Sequence, residues 1–328
     1  MSSAVHDQPV SMSRTASPHS PGRLLESLIY ELSSPGRRAL QLPLLDLPEV
    51  PLKELVPAAE LRAEPAPLPE VSERDLVKHF MRLAHLNFSV ETNFYPLGSC
   101  TMKYNPRAHE EIAGLPGFAR VHPHTPDEAA QGILRLLLEL EGCFKEVLGM
   151  DAVTLQPAAG AHGELTALLM ASAYHQSKGK PRRKVVLPDS AHGTNPASAA
   201  LCGFEVVEVR SNARGRASVK TVASAIDDDT AVFMMTNPNT LGLFEEEVVE
   251  ICSLVHAKGG LMYLDGANMN ALLGLVRPGD MGFDMVHVNI HKTFSIPHGS
   301  GGPGGGPVGV KAFLKPLDRK STRLNSSH

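Results

Sequence analysis

The spacing of apolar positions changes period several times along the chain. In VSERDLVKHFMRLAHLN, residues 71–87, apolar residues recur three and four apart, which predicts a helix starting after Ser72, whose hydroxyl stands before an acidic first turn as an N-cap. A longer helix is predicted over 125–148, with Thr125 capping, Pro126 in the first turn, and Asp127 and Glu128 where the helix dipole favours negative charge. Beyond it, short apolar runs at 152–156, 184–187, 205–209, 231–236, 261–264 and 285–289 read as six strands. Helical stretches fall between them, one over 164–175 and a short one after the loop that opens PDSAHGTNPASAALCG. Strands alternating with helices predict an α/β fold with a mostly parallel central sheet.

The first seventy residues differ. LPLLDLPEVPLKELVPAAELRAEPAPLPEVSERD interleaves Leu and Val with Pro, and proline neither continues a helix nor joins a central strand. Residues 1–70 therefore read as an extended arm whose leucines lie along a surface, its own or a partner's, followed by one large domain over 71–317. Residues 93–107, NFYPLGSCTMKYNPR, are dense in Pro, Gly, Asn and aromatics and read as a loop, functional or packed on the surface.

Composition narrows the partners. At 328 residues the chain can bury one large core. A net charge of −4 and a pI near 6.4 give no reason to expect nucleic acid or an anionic membrane. Four widely spaced cysteines without a CxxC suggest neither a disulfide framework nor a zinc knuckle, and fit a reducing compartment. The amino terminus lacks the apolar core of a secretory signal, and no apolar run approaches the ~20 residues that span a bilayer. A cytoplasmic location is expected.

Candidate chemistry gathers after the strands, in AGAHGE, DSAHGTN, TNPNTLG, DGAN and NIHK. In open α/β sheets ligands bind outside the carboxyl ends of the strands, so these loops can converge. Lys292 follows the last apolar run and precedes a glycine-rich stretch, with His287, Asn289 and His291 at alternate positions on the approach. Such a lysine can carry pyridoxal phosphate (PLP) as a Schiff base, and Asp265, at the end of another strand, can keep the pyridine nitrogen protonated. Gly160, Ala161 and His162 precede a helix start, which suits a phosphate but equally suits simple turn chemistry. His192, between Asp189 and Asn195, reads equally as a hydrogen-bonded structural histidine. His287 and His291 are four apart, but VHVNI alternates as a strand and no Glu lies between them, so no metal site is expected. The glycine run at 299–306 lacks the GxxxxGK[ST] pattern of a nucleotide triphosphate site.

Together NFYPLGSCTMKYNPR, QPAAGAHGELTALLM, PDSAHGTNPASAALCGF, TNPNTLGLFE, YLDGAN, RPGDMGFDMVHVNIHKTF and PHGSGGPGGGPVGVK cover nearly everything from about residue 25 to 311. They closely resemble the P-protein family of the glycine cleavage system, the PLP-dependent glycine dehydrogenase (decarboxylating), in the form of subunit 2 of the split bacterial enzyme. The resemblance implies an aspartate-aminotransferase-like, PLP-dependent transferase fold. It implies Lys292 as the Schiff-base lysine and Asp265 as partner of the pyridine nitrogen. Asn268 and Asn239 resemble the amides that address the phenolic oxygen, and His192 the ring-stacking histidine. Gly160, Ala161, His162 and His291 fall in or beside the phosphate cradle.

The implied reaction decarboxylates glycine and passes the aminomethyl group to the lipoyl group of H-protein. The implied partner is P-protein subunit 1, in a heterotetramer of two copies of each subunit. Two departures stand out. Ser300 occupies a position that is glycine in the family's PHGGGGPG. The chain also stops where the family continues into a smaller carboxyl-terminal domain, which is expected to be missing here, and residues 318–328 read as a non-native tail. A non-catalytic binding subunit, or another PLP enzyme such as a desulfurase or aminotransferase, are the alternatives.

Overall fold

The computed structural model describes residues 26–44, 46–87, 106–294, 296 and 304–317. Most of the loop at 93–107, Ser300 and the tail at 318–328 lie outside them. The chain divides into two compact units, Met1–Tyr95 and Pro96–His328.

In the first unit the proline-rich stretch contains one single-turn helix, α1 (Leu52–Leu55), and a 3₁₀ turn at Ala58–Glu60, before helix α2 (Glu73–His85). Ser72 Oγ accepts the Asp75 N–H at 3.2 Å, the cap expected from the sequence. The arm is tied to this helix: Ser34 N–H donates to the Glu70 carbonyl, Arg37 pairs with Asp75, and Arg82 pairs with Glu26. This places α2 in the arm's unit, so the division falls at Tyr95 and not near residue 70. Leu42, Leu44 and Leu47 of the arm are exposed.

The second unit opens with the short helices α3 (Arg107–Ala113) and α4 (Pro116–Ala119), then α5 (Asp127–Leu148). Pro126, not Thr125, occupies the N-cap position of α5, and Gly149 ends the helix at φ 65°, a left-handed turn that glycine adopts without steric cost. Among the described residues seven strands follow: β1 (Ala152–Thr154), β2 (Lys184–Pro188), β3 (Glu205–Val209), β4 (Thr230–Thr236), β5 (Leu261–Gly266), β6 (Met285–Val288) and β7 (Val308–Val310). Between them run α6 (Gly160–Ser177), α7 (Thr194–Leu201), α8 (Val219–Ala225) and α9 (Val248–Ala257). They make one sheet in the order β1-β7-β6-β5-β4-β2-β3, parallel from β6 to β3, with β7 antiparallel to both neighbours. The expected mostly parallel α/β sheet is therefore present.

Strand alternation sorts the core into two layers. Phe233 and Met235 of β4 pack with Phe144 and Leu148 of α5, Val222 of α8, and Ile251 and Val255 of α9. Val232 and Met234 face the other way, toward Ala167, Leu168 and Ala171 of α6 and Ala199 of α7. Every residue of β4 is buried, because both faces of this central strand carry helices. β7 had no sequence signal. Its three residues, Val-Gly-Val, follow a glycine- and proline-rich stretch, and only pairing with β6 and β1 makes them a strand.

Candidate functional site

At the carboxyl ends of the parallel strands lies a cavity of about 530 Å³, in the size range of small-molecule sites. Its floor follows from register. Thr236 on β4 is level with Asp265 on β5, and Asp265 is level with His287 on β6. These three residues continue the alternation of Met234, Tyr263 and Met285, which face α6 and α7, so their side chains rise on the side where those helices begin.

Asp265 is 2% exposed. Its Oδ1 accepts the Ala267 N–H at 2.9 Å and its Oδ2 accepts the Asn195 amide at 3.2 Å. His287 Nε2 lies 3.5 Å from Oδ1 and 3.2 Å from Asn289 Oδ1, while His287 Nδ1 lies 2.5 Å from the Tyr263 hydroxyl. Burial, reinforced by the Asp265 and Glu164 charges, pushes the Tyr263 phenol well above its ordinary value. It therefore donates to Nδ1, leaving Nε2–H to face Asn289 and Asp265.

Lys292 is half-buried on the cavity wall, its N–H donating to the Asn289 carbonyl at 2.9 Å in the turn that leaves β6. Against this turn α6 begins at Gly160 without a side-chain cap, and the first N–H groups of a helix have no intrahelical acceptor. Gly160 and Ala161 present this end to the cavity beside His291. A Cβ on Gly160 would overlap the Asn289 side chain, and one on Gly306 would overlap the Ala159 carbonyl. Glycine at these two positions is what lets the turn after β6 and the run into β7 close on the start of α6.

His192 and Asn268 also line the cavity, with the Asn268 amide donating to the Pro238 carbonyl at 2.9 Å. Two expected contacts are directed elsewhere. His162 is exposed on the first turn of α6 and accepts the Ala158 N–H on its ring; it is not among the lining residues. Asn239 is buried with its amide spent on its own loop and on the β3–α8 connection, donating to Glu245 and the Gly215 carbonyl and accepting from the Leu241 and Leu243 N–H groups.

The cavity also contains groups that the sequence did not single out. Glu164, 3% exposed, accepts the Thr194 hydroxyl at 2.7 Å and the Ser198 hydroxyl at 3.0 Å. Burial pushes its carboxyl above the ordinary range despite those donors. The available signal was an acid in the second turn of an otherwise small and apolar helix, GELTALLM. Thr236 Oγ1 and Asn195 Oδ1 are buried without a hydrogen-bond partner, and Thr236 lines the cavity. Of the described thiols, Cys143, Cys202 and Cys252, none lines it. No described helix is long and apolar enough to cross a membrane, and among the described residues no cluster of acids, histidines and cysteines could hold a metal ion.

Comparison with known proteins gives the family and the fold. A family model described as "Glycine cleavage system P-protein" matches residues 44–320. "Probable glycine dehydrogenase (decarboxylating) subunit 2" of Desulforamulus reducens is 58% identical over 295 residues, covering 90% of this chain and 61% of that protein. The protein of the same description from Listeria welshimeri is 54% identical over 291 residues, 88% of this chain and 60% of its own. The chain thus spans about three fifths of the length of these relatives. Among solved structures, an inhibitor-bound glycine decarboxylase (P-protein) of the glycine cleavage system superposes with a TM-score of 0.66 at 22% identity, over 81% of this chain and 59% of that one. The sphingosine-1-phosphate lyase of Burkholderia pseudomallei gives 0.57 at 17%, over 79% and 63%. Both share the fold.

Proposed function

This chain belongs to the glycine cleavage system P-protein family, and on that premise we propose that it holds the PLP site for glycine decarboxylation, with transfer of the aminomethyl group to the lipoyl group of H-protein. The observation that carries the reading is the placement of Lys292 and Asp265 on one cavity at the carboxyl ends of β5 and β6, with the uncapped start of α6 on its rim. The residues fit the cofactor. A buried carboxylate, an unpartnered buried hydroxyl on Thr236 and free helix N–H groups are what a phosphorylated pyridine aldehyde would satisfy.

When bound, PLP supplies an electron-accepting ring to a glycine joined to it. Lys292 Nζ would tether the cofactor. Asp265, oriented by Ala267 N–H and the Asn195 amide, would hold a proton at the pyridine nitrogen. Gly160, Ala161 and His291 would receive the phosphate, and Asn268 the phenolic oxygen. His192, at the mouth, would cover one ring face and keep water from it. Asn239 and His162 support this site by shaping their loops.

In the same reading the enzyme is an oxidoreductase of the cytoplasm that works with P-protein subunit 1, in a heterotetramer of two copies of each, and with lipoylated H-protein. The test is reconstitution of the full-length subunit with its partner subunit, PLP and H-protein. Glycine-dependent exchange of carbon dioxide is expected, abolished by Lys292→Ala. No exchange in the unmodified complex would overturn the reading, and absence of aldimine absorbance, with no loss on Lys292→Ala, would favour a non-catalytic subunit.

A further inference from the structure

Thr194 Oγ1 carries one proton and stands between two groups, 2.8 Å from His192 Nδ1 and 2.7 Å from Glu164 Oε1. It can donate to only one of them. In the first arrangement it donates to an ionised Glu164, and His192 must carry its proton on Nδ1 to complete the other bond. In the second, Glu164 is protonated and donates to Oγ1, Thr194 donates to Nδ1, and the imidazole proton sits on Nε2. Only the second arrangement leaves a lone pair on Nδ1, which the Thr194 hydroxyl and the Thr194 backbone N–H, 3.2 Å away, then share. Ser198 donates to Glu164 Oε2 in both.

We propose that Glu164, acting through Thr194, sets which ring nitrogen of His192 carries the proton at the mouth of the cavity. Glu164 is a positioning residue, and the three side chains form a proton relay. A proton taken up at Nε2 from the cavity is balanced by transfer of the Nδ1 proton to Thr194 Oγ1 and of the Thr194 proton to Glu164. The proton is stored on a carboxyl and the imidazole stays neutral. The surroundings permit this storage: burial and the neighbouring Asp265 on β5 favour a protonated Glu164, while the Thr194 and Ser198 hydroxyls of α7 and His287 on β6 act in the opposite sense. Lys292 shares the cavity but does not touch the relay's hydrogen bonds.

The role of His192 as a cofactor-facing residue rests on the proposed PLP site, but the coupling does not, and it can be read on the chain without cofactor. The experiment follows the ring ¹⁵N signals of His192, assigned by their loss in His192→Gln, over a pH range that spans the ionisation of Glu164, whose carboxyl burial raises above its ordinary value. The unmodified chain is expected to shift from mainly Nε2–H toward mainly Nδ1–H as pH rises. Glu164→Gln, whose amide donates to Thr194 at every pH, is expected to stay Nε2–H throughout. Thr194→Val is expected to lose the pH response and Thr194→Ser to keep it. A purely structural Glu164 would alter stability and leave the tautomer alone. The proposal is overturned if the unmodified chain and Glu164→Gln give the same tautomer across the range, or, should Glu164→Gln fail to fold, if Thr194→Val titrates as the unmodified chain does. Failure of PLP to bind would overturn the proposed function and leave this result standing.

Discussion

Asp265 Oδ2 accepts the Asn195 side-chain amide at 3.2 Å, joining the end of β5 to the first turn of α7 across seventy residues of sequence. The bond orients the carboxylate toward the cavity and anchors the helix that brings Thr194 and Ser198 to Glu164. Asp265→Ala would strand the buried Asn195 amide and the partly buried Ala267 N–H. The expected outcome is loss of PLP absorbance together with a destabilisation of about 1–3 kcal/mol, measured by urea unfolding of the cofactor-free chain. Asn195→Ala should cost less stability, since the Ala267 bond survives, while weakening PLP retention.

Gly160 is the point where α6 meets the turn after β6. A methyl group there would overlap the Asn289 side chain, so Gly160→Ala must displace either that amide or the helix start. Overpacking of this kind costs about 1–3 kcal/mol. PLP affinity, read by equilibrium dialysis, is expected to fall further than stability, because the displaced N–H groups are those proposed to hold the phosphate.

His256 and Asp284 make a pH-dependent contribution away from the cavity. His256 Nε2 lies 2.7 Å from Asp284 Oδ2, and this hydrogen bond raises the histidine above its ordinary value although burial opposes it. A raised folded-state value means stability that is fully present below the unfolded value of about 6.5 and lost as pH rises through the folded one. The unfolding free energy of the unmodified chain should therefore exceed that of His256→Gln most at low pH, with the gap narrowing as pH rises. A gap that widens with pH would contradict the pairing.

Phe233 is fully buried on β4, packed in the layer that contains Phe144 and Ile251. Phe233→Ala is expected to destabilise the chain by about 3–5 kcal/mol in urea unfolding, through lost burial and an unfilled cavity. Val249→Ala, on the exposed face of α9, should change it by no more than about 0.5 kcal/mol.

The two asparagines expected to address the phenolic oxygen can be told apart. The Asn239 side chain makes four hydrogen bonds, three within its loop and one to the Gly215 carbonyl, whereas Asn268 lines the cavity. Asn239→Ala should lower thermal stability through the unsatisfied loop. Asn268→Ala should instead shift the absorbance of bound PLP with a smaller loss of stability.

Local pattern was enough to place α2, whose apolar residues recur three and four apart, and the parallel strands, which are short apolar runs buried on both faces at the centre of the sheet, and both patterns are visible in the chain. It was also enough to bring Lys292 and Asp265 to one end of the sheet, since both follow apolar strands and parallel strands share a carboxyl end. What the pattern could not decide was direction and company. Whether Asn239, Asn268 or His162 points into the cavity depends on turn geometry and on which backbone groups compete for the side chain. Residues Thr194 and Ser198, thirty and thirty-four positions from Glu164, make that glutamate part of the site. β7 exists only because two strands distant in sequence accept it as a partner. Periodicity is a property of neighbours along the chain. Hydrogen bonding and burial at the cavity are properties of neighbours in space, and only the folded sheet and its helices bring those together.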